Sequence, residues 1–133
     1  MAKRTLKIKP DKDGVYHLKQ RHLDVYRDAV YEFIGYFGLS EWKLWIQLEQ
    51  FDGAYGFCRA DCPSQSALIG LCPKWDINPS ASELRKVARH EVLELLLSPM
   101  WHATLARCLD KDWAESQRHT VIRRLENLCH DMI

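Results

Sequence analysis

The sequence predicts a single α+β domain, because helical and strand periodicities occupy separate stretches of the chain. Apolar residues recur at helical spacing near both ends, whereas apolar and polar residues alternate in the middle. With 133 residues, 47% of them hydrophobic, the chain is long enough for one buried core. We expect a first helix, a short, mostly antiparallel sheet of three or more strands, a second helix and a closing helix, all in one domain over residues 1–133.

Each element of the first half is predicted by its own local pattern. One apolar stripe at helical spacing predicts the first helix over about residues 18–37, and Gly38 lies just past its end. Alternation of apolar and polar residues predicts the strands. Because Asp52-Gly53 is typical of a hairpin, the second strand should pair back onto the first. In chain order we expect a strand at 42–49, the Asp52-Gly53 turn, a strand at 54–60, a turn at 62–64 and a strand at 66–71.

Capping and breaking residues delimit the helices of the second half. Ser80 and Glu83 form a capping box at the start of the second helix, and Pro99 should end that helix near residue 97. A short helix is expected over 104–109 and the closing helix over about 112–129.

Composition and charge argue against several classes of partner. The net charge of +1 and the lack of a recognisable motif speak against nucleic acid, and no apolar stretch approaches the ~20 residues of a membrane span. Five cysteines without disulfide-like spacing, and no signal peptide, indicate a cytoplasmic protein. The basic residues Lys3, Arg4, Lys7 and Lys9 indicate a flexible arm within residues 1–15.

The most informative motif is His-Glu-Val-Leu-Glu at residues 90–94, in the second predicted helix. It differs by one residue from His-Glu-x-x-His, in which two histidines one helical turn apart hold zinc and the Glu activates water. His90 and Glu94 share a helix face, and residues 92–97 are apolar except for Glu94. A charged group on so apolar a helix needs a partner or a metal. Exposed carboxylates paired with surface bases such as Arg89 are the less favoured alternative.

Together, the motif helix and the closing helix resemble the small zincin-like metallopeptidases found in phages and prophages. The resemblance is carried by Arg-His-Glu-Val-Leu-Glu-Leu-Leu-Leu at residues 89–97 and His-Thr-Val-Ile-Arg-Arg-Leu-Glu-Asn at residues 119–127. It implies a minimal zincin-like domain and a single-zinc hydrolase with two histidine ligands and a downstream acidic ligand. Two positions depart from the family pattern. Glu94 replaces the second histidine, and Arg118 replaces the acidic residue before His119.

One hypothesis explains both departures by loss of the metal. On a helical wheel of the closing helix, Arg118 lies near the centre of the apolar stripe, whereas His119 lies on the flank with Glu115 and Glu126. Glu94 and Arg118 would then form a buried ion pair where zinc would be, a pair whose geometry can be bidentate. We favour this hypothesis, which makes the protein a phage-type binding protein without a cofactor, acting on a protein partner.

The alternative hypothesis keeps the metal. His90, Glu94 and His119 would form a two-histidine, one-carboxylate site, a ligand set that zinc and non-haem iron both accept. Glu91 would be the general base of a metallohydrolase acting on a peptide or protein substrate. This hypothesis requires His119 to turn inward and Arg118 to turn outward.

Tryptophans and cysteines supply the remaining predictions. Trp101 and His102 should lie in a loop that overhangs the site and forms its rim. Trp45 faces away from the apolar side of its strand and indicates a partner surface if no helix covers it. Three cysteines in or beside the strands are expected to be small buried side chains rather than a structural zinc site, namely Cys58, Cys62 and Cys72.

Overall fold

The computed structural model confirms the α+β class and describes residues 5–105, 107 and 110–129. Within these residues, three helices accompany a three-stranded and a two-stranded sheet, and two of the three strand pairings are antiparallel. In chain order the described elements are β1 (Tyr16–His17), α1 (Gln20–Tyr36), β2 (Lys43–Leu48), β3 (Gly56–Asp61), β4 (Ser66–Leu71), β5 (Lys74–Trp75), α2 (Ala81–Leu105) and α3 (Lys111–Cys129).

The three-stranded sheet has the order β2-β4-β3, so the predicted hairpin between β2 and β3 is wrong. β4 pairs in parallel with β2 and antiparallel with β3, and the tight hairpin is the one at residues 62–65. The physical reason is burial, because Ala67, Ile69 and Leu71 of β4 are all buried whereas β2 and β3 carry exposed polar residues. The most apolar strand therefore takes the central position, and the more polar strands form the edges.

The core lies between one face of this sheet and the helices α1 and α2. Tyr26 and Phe33 of α1, Ile69 of β4 and Val92 of α2 are fully buried in it. The Tyr26 hydroxyl donates a 3.0 Å hydrogen bond to the carbonyl of Gly70, which fixes α1 against the central strand. α2, which carries the motif, is thus anchored to the same core.

α2 continues through Pro99 to Leu105, which corrects its predicted end near residue 97. Proline has no N–H to donate to the carbonyl four residues earlier, here that of Leu95. The Ser98 hydroxyl donates a 2.7 Å hydrogen bond to this carbonyl instead. The stretch after residue 97 is therefore helix rather than an overhanging loop.

The other helix ends agree with the sequence or lie outside the described residues. α1 and α3 match their predicted bounds to within two residues. The Ser80 side chain caps α2 by accepting a 3.2 Å hydrogen bond from the backbone N–H of Glu83. In the helix predicted over 104–109, the first two residues belong to α2, and residues 106, 108 and 109 lie outside the described part.

The basic arm is described only in part. Lys3 and Arg4 lie outside the described residues. Leu6 packs against the core, and its carbonyl accepts a 3.0 Å hydrogen bond from Nε2 of His22. Among the helices of the described ranges, none combines the length and the apolar character needed to cross a membrane.

Gly70 is the position in the central strand where a side chain does not fit. A Cβ there would overlap the ring of Phe57, so we expect Gly70→Ala to destabilise the fold by about 1–3 kcal/mol, as overpacking does. Gly35, which lies in α1 with open space around it, is the matched control. Gly35→Ala should stabilise by up to about 1 kcal/mol. Urea unfolding of both variants measures the difference, and equal effects would contradict the packing described.

Candidate metal centre

α2 and α3 bring three side chains of the metal-ligating type together, those of His90, Glu94 and His119. One nitrogen or oxygen from each lies within 4.8 Å of the other two. His90 and Glu94 are one turn apart on α2. The His119 ring, from α3, stacks against the His90 ring at a centroid distance of 6.1 Å. Among the described residues, this is the one group of three such side chains close enough to share a metal ion.

The ring of His90 is held between two carboxylates. Its Nδ1–H donates a 3.1 Å hydrogen bond to Oε1 of Glu126, and its Nε2 lies 3.6 Å from Oε1 of Glu94. The hydrogen bond to Glu126, and then the contact with Glu94, raise the pKa of His90 to about 10. The ring is therefore an imidazolium at neutral pH when no metal is bound. A carboxylate on Nδ1 is also how proteins orient a histidine whose other nitrogen binds a metal.

Glu91 is a buried carboxyl next to the cluster, with only 4% of the residue exposed. Burial, and then the neighbouring charge of Glu94, raise its pKa well above the ordinary range. Its Oε2 has no hydrogen-bond partner among the described residues. Although Glu94 is also largely buried, His90 and Arg118 hold its pKa below the ordinary value. The pKa values of these two adjacent carboxyls are thus shifted in opposite directions, as in acid–base sites.

Arg118 forms the predicted ion pair with Glu94, but through a single long contact rather than in the bidentate form. One terminal guanidinium nitrogen of Arg118 lies 3.8 Å from Oε1 of Glu94 and 3.8 Å from Oε1 of Glu115. Both distances are longer than a hydrogen bond. The guanidinium stacks on the Trp101 ring, with its carbon 4.1 Å from the ring centroid. Arg118 therefore balances the charge of Glu94 without the hydrogen bonds that a substitute for zinc would make.

The sequence predicts that only one of Arg118 and His119 faces the site, whereas in the structure both reach it. His119 lies on the flank of α3 as predicted, with Nε2 3.7 Å from Oε1 of Glu115. It reaches His90 while Arg118 stays inward, because the His90 side chain is 32% exposed and lies at the edge of the helix interface. A residue on the flank of α3 can meet it there.

Two cavities flank the cluster, and β3 contributes to the wall of both. Their volumes are about 360 Å³ beside His90 and about 230 Å³ beside Glu94. In the sheet described, β3 has a neighbouring strand on one side only. The first cavity is lined by Ala54, Tyr55, Gly56, Glu83, Lys86, Val87, His90, Glu91 and Glu126, and the second by Cys58, Arg59, Ala60, Glu94, Ser98, Trp101, His102 and Arg118.

Trp101 and His102 line the second cavity as predicted for the rim, although they lie on α2 rather than in a loop. Glu126 is the site residue that was not proposed from the sequence. It lies seven residues after His119, and this spacing places both on one face of a helix. This seven-residue spacing is the sequence signal that could have identified Glu126 as a partner of the site.

The three cysteines of the strand region do not assemble into a site. Cys58 is near Glu91 and Glu94, and burial, followed by their negative charges, raises the pKa of its thiol. The Cys62 thiol lies 3.7 Å from the Ser98 hydroxyl, and the Cys72 thiol contacts backbone carbonyls. All three are free thiols.

Comparison with known proteins adds no family to these observations. No protein-family model matches the chain, and neither a curated protein nor a solved structure matches it.

The titration of His90 tests the arrangement of the metal-free protein. Since its folded pKa is raised from about 6.5 to about 10, its contribution to stability is complete below pH 6.5 and is lost as the pH rises through 10. NMR titration should find His90 charged at pH 8, and Glu126→Gln should lower its pKa. Glu115→Gln is the control, because Glu115 lies next to His119 instead, and this variant should leave the pKa of His90 nearly unchanged. A pKa of 6–7 in the unmodified protein would contradict this geometry.

Proposed function

We propose that the protein is a metal-dependent peptidase whose metal ion is held by His90, Glu94 and His119. The observation that carries this proposal is the orientation of His90. Glu126 engages Nδ1 and leaves Nε2 on the side of Glu94, the arrangement that a metal ligand needs. The sequence alone favoured a metal-free site, and the long Arg118–Glu94 contact is what changes that preference. The resemblance to zincin-like metallopeptidases agrees with the proposal.

The donor set fits a divalent cation such as zinc. Two imidazoles and one carboxylate are accepted ligands, and three protein ligands leave a position open for catalysis. His90 must release its proton to bind, so the affinity should rise with pH. When bound, the metal supplies positive charge that polarises the substrate carbonyl and makes water more acidic.

Glu91 is placed to move the protons of a hydrolysis reaction. Glu91, whose pKa would be lowered by a cation in the cluster, would accept a proton from water at its unpartnered Oε2. The resulting hydroxide adds to the carbonyl carbon, the C–N bond breaks, and Glu91 passes the proton to the leaving nitrogen. One water is consumed, and a carboxylic acid and an amine are produced.

The position of β3 favours a peptide as the substrate. β3 is an edge strand of the described sheet, and it lines both cavities beside the cluster. An extended peptide can pair with such an edge as an additional strand. Its backbone would then cross the cluster from one cavity to the other.

We place the protein in the cytoplasm, since its described cysteines are free thiols.

Metal content tests the ligand set. Protein purified with zinc should contain one zinc per chain by elemental analysis, and His90→Ala or His119→Ala should lose it. Glu126→Gln should weaken zinc affinity by about 10–100-fold, because it removes only the orienting carboxylate. His102→Ala is the control, since His102 lines the neighbouring cavity but is not in the cluster. Folded protein that stays free of zinc at micromolar zinc would contradict the proposal.

The role of Glu91 has a separate test. Glu91→Gln should keep the bound zinc and lower the rate of peptide hydrolysis by about 10²–10⁴-fold, since it removes the base and retains the shape. Hydrolysis can be followed with a quenched fluorescent peptide library. Glu83→Gln is the control, because Glu83 lines the same cavity from the first turn of α2. A fully active Glu91→Gln variant would show that another group takes the proton.

A second candidate function is a metal-free binding protein, which the stacking of Arg118 on Trp101 beside Glu94 supports. The guanidinium supplies a fixed positive charge beside the carboxylates, and Trp45 is 58% exposed and available to a protein partner. If the zinc measurement finds no metal, and Arg118→Ala destabilises the fold by the ~3–5 kcal/mol of a broken buried pair, this candidate replaces the first.

A further inference from the structure

An apolar pocket of about 160 Å³ lies between the end of α2 and the start of α3, next to the candidate metal centre. Three of its wall residues are large and exposed, Met100 by 69%, Trp113 by 59% and Val121 by 42%. So much exposed apolar surface around one concave site is typical of a binding surface. Leu97, Trp101 and Ala114 add further apolar surface to the wall.

Among the described residues that line this pocket, Arg118 has the one charged side chain. Its Nε is buried without a hydrogen-bond partner among the described residues, and both of its carboxylate contacts are 3.8 Å long. The guanidinium lies over the face of the Trp101 ring, with its carbon 4.1 Å from the ring centroid. This contact does not use the N–H groups at the edge of the guanidinium. Arg118 also lines the cavity beside Glu94 and therefore connects the pocket to the cluster.

We propose that this pocket binds the C-terminal residue of a peptide, with a large apolar side chain inside and the α-carboxylate on Arg118. The inference rests on the proposed function and makes the protein a carboxypeptidase. Charge complementarity selects this occupant. An apolar side chain alone would leave the guanidinium donors unused, and a guanidinium pairs with a carboxylate through two parallel hydrogen bonds.

The spacing between Arg118 and Glu94 suits such a substrate. In a peptide, the last scissile carbonyl carbon and the terminal carboxylate carbon are three bonds apart, under about 4 Å. Arg118 lies 3.8 Å from Oε1 of Glu94, so a carboxylate on Arg118 puts the preceding peptide bond beside the cluster. A cation at Glu94 would neutralise one of the two carboxylates that now attract Arg118, and the other, Glu115, is exposed to solvent.

Ligand binding tests the pocket without requiring turnover. The probes are N-acetyl-L-phenylalanine and its amide, titrated into zinc-loaded and zinc-free protein by calorimetry. We expect the free acid to bind about tenfold or more tightly than the amide, as a charged hydrogen bond allows. Arg118→Gln should abolish this difference. Arg124→Gln, an exposed arginine on the same helix, should preserve it.

The apolar wall has its own variant and control. Val121→Asp should weaken binding of both the acid and the amide, whereas Leu128→Asp, 70% exposed on α3 and outside the pocket, should change neither. Circular dichroism melting checks that each variant is folded.

Three outcomes are distinguishable. Equal affinity for the acid and the amide would overturn the carboxyl-terminus inference. A preference for the acid that survives Arg118→Gln, because the acid binds zinc directly, would overturn it as well. In both cases the metal measurement would still support a peptidase. An Arg118-dependent preference for the acid in a protein that takes up no zinc would retain the pocket and overturn the peptidase. Faster hydrolysis of peptides with a free apolar C-terminus than of their amides supports both.

Discussion

The structure depends on the compensation of buried carboxyl groups on α2. Glu91 and Glu94 lie on a stretch of α2 that is otherwise apolar from residue 92 to residue 97, and a buried carboxylate without a partner is too costly to persist. Burial raises the pKa of Glu91 and so favours its neutral form, whereas His90 and Arg118 lower the pKa of Glu94 and favour its charged form. Since Arg118 comes from α3, the same requirement helps to determine where α3 packs.

α3 contributes little apolar surface to the fold. Ala114, Ile122 and Cys129 are its buried residues in the described chain, whereas the apolar residues Val121 and Leu128 are exposed. Its position therefore relies on polar contacts to α2, above all the hydrogen bond between His90 and Glu126. Stability and function are coupled here, because the same Nδ1 hydrogen bond that joins the two helices orients Nε2 of His90, where a metal would replace the second ring proton.

The periodic elements could be predicted from the sequence, whereas pairings and helix–helix contacts could not. The strand Ser66–Leu71 and the helix cap at Ser80 are set by local patterns, and both are confirmed. The order β2-β4-β3 depends on which strand is most buried, and the passage of α2 through Pro99 depends on one serine hydroxyl. Within the site, spacing along α2 predicted His90 with Glu94. The approach of His119 and Glu126 depends on how two helices meet, which the sequence of neither helix contains.

Anomalous diffraction at the zinc absorption edge, from crystals grown with zinc, shows whether the cluster holds a metal ion. We expect one anomalous peak about 2.0–2.2 Å from a nitrogen of His90, a nitrogen of His119 and an oxygen of Glu94. Absence of a peak, with the Arg118 guanidinium hydrogen-bonded to Glu94 at that position, would rule out the proposed metal centre and establish a metal-free ion pair.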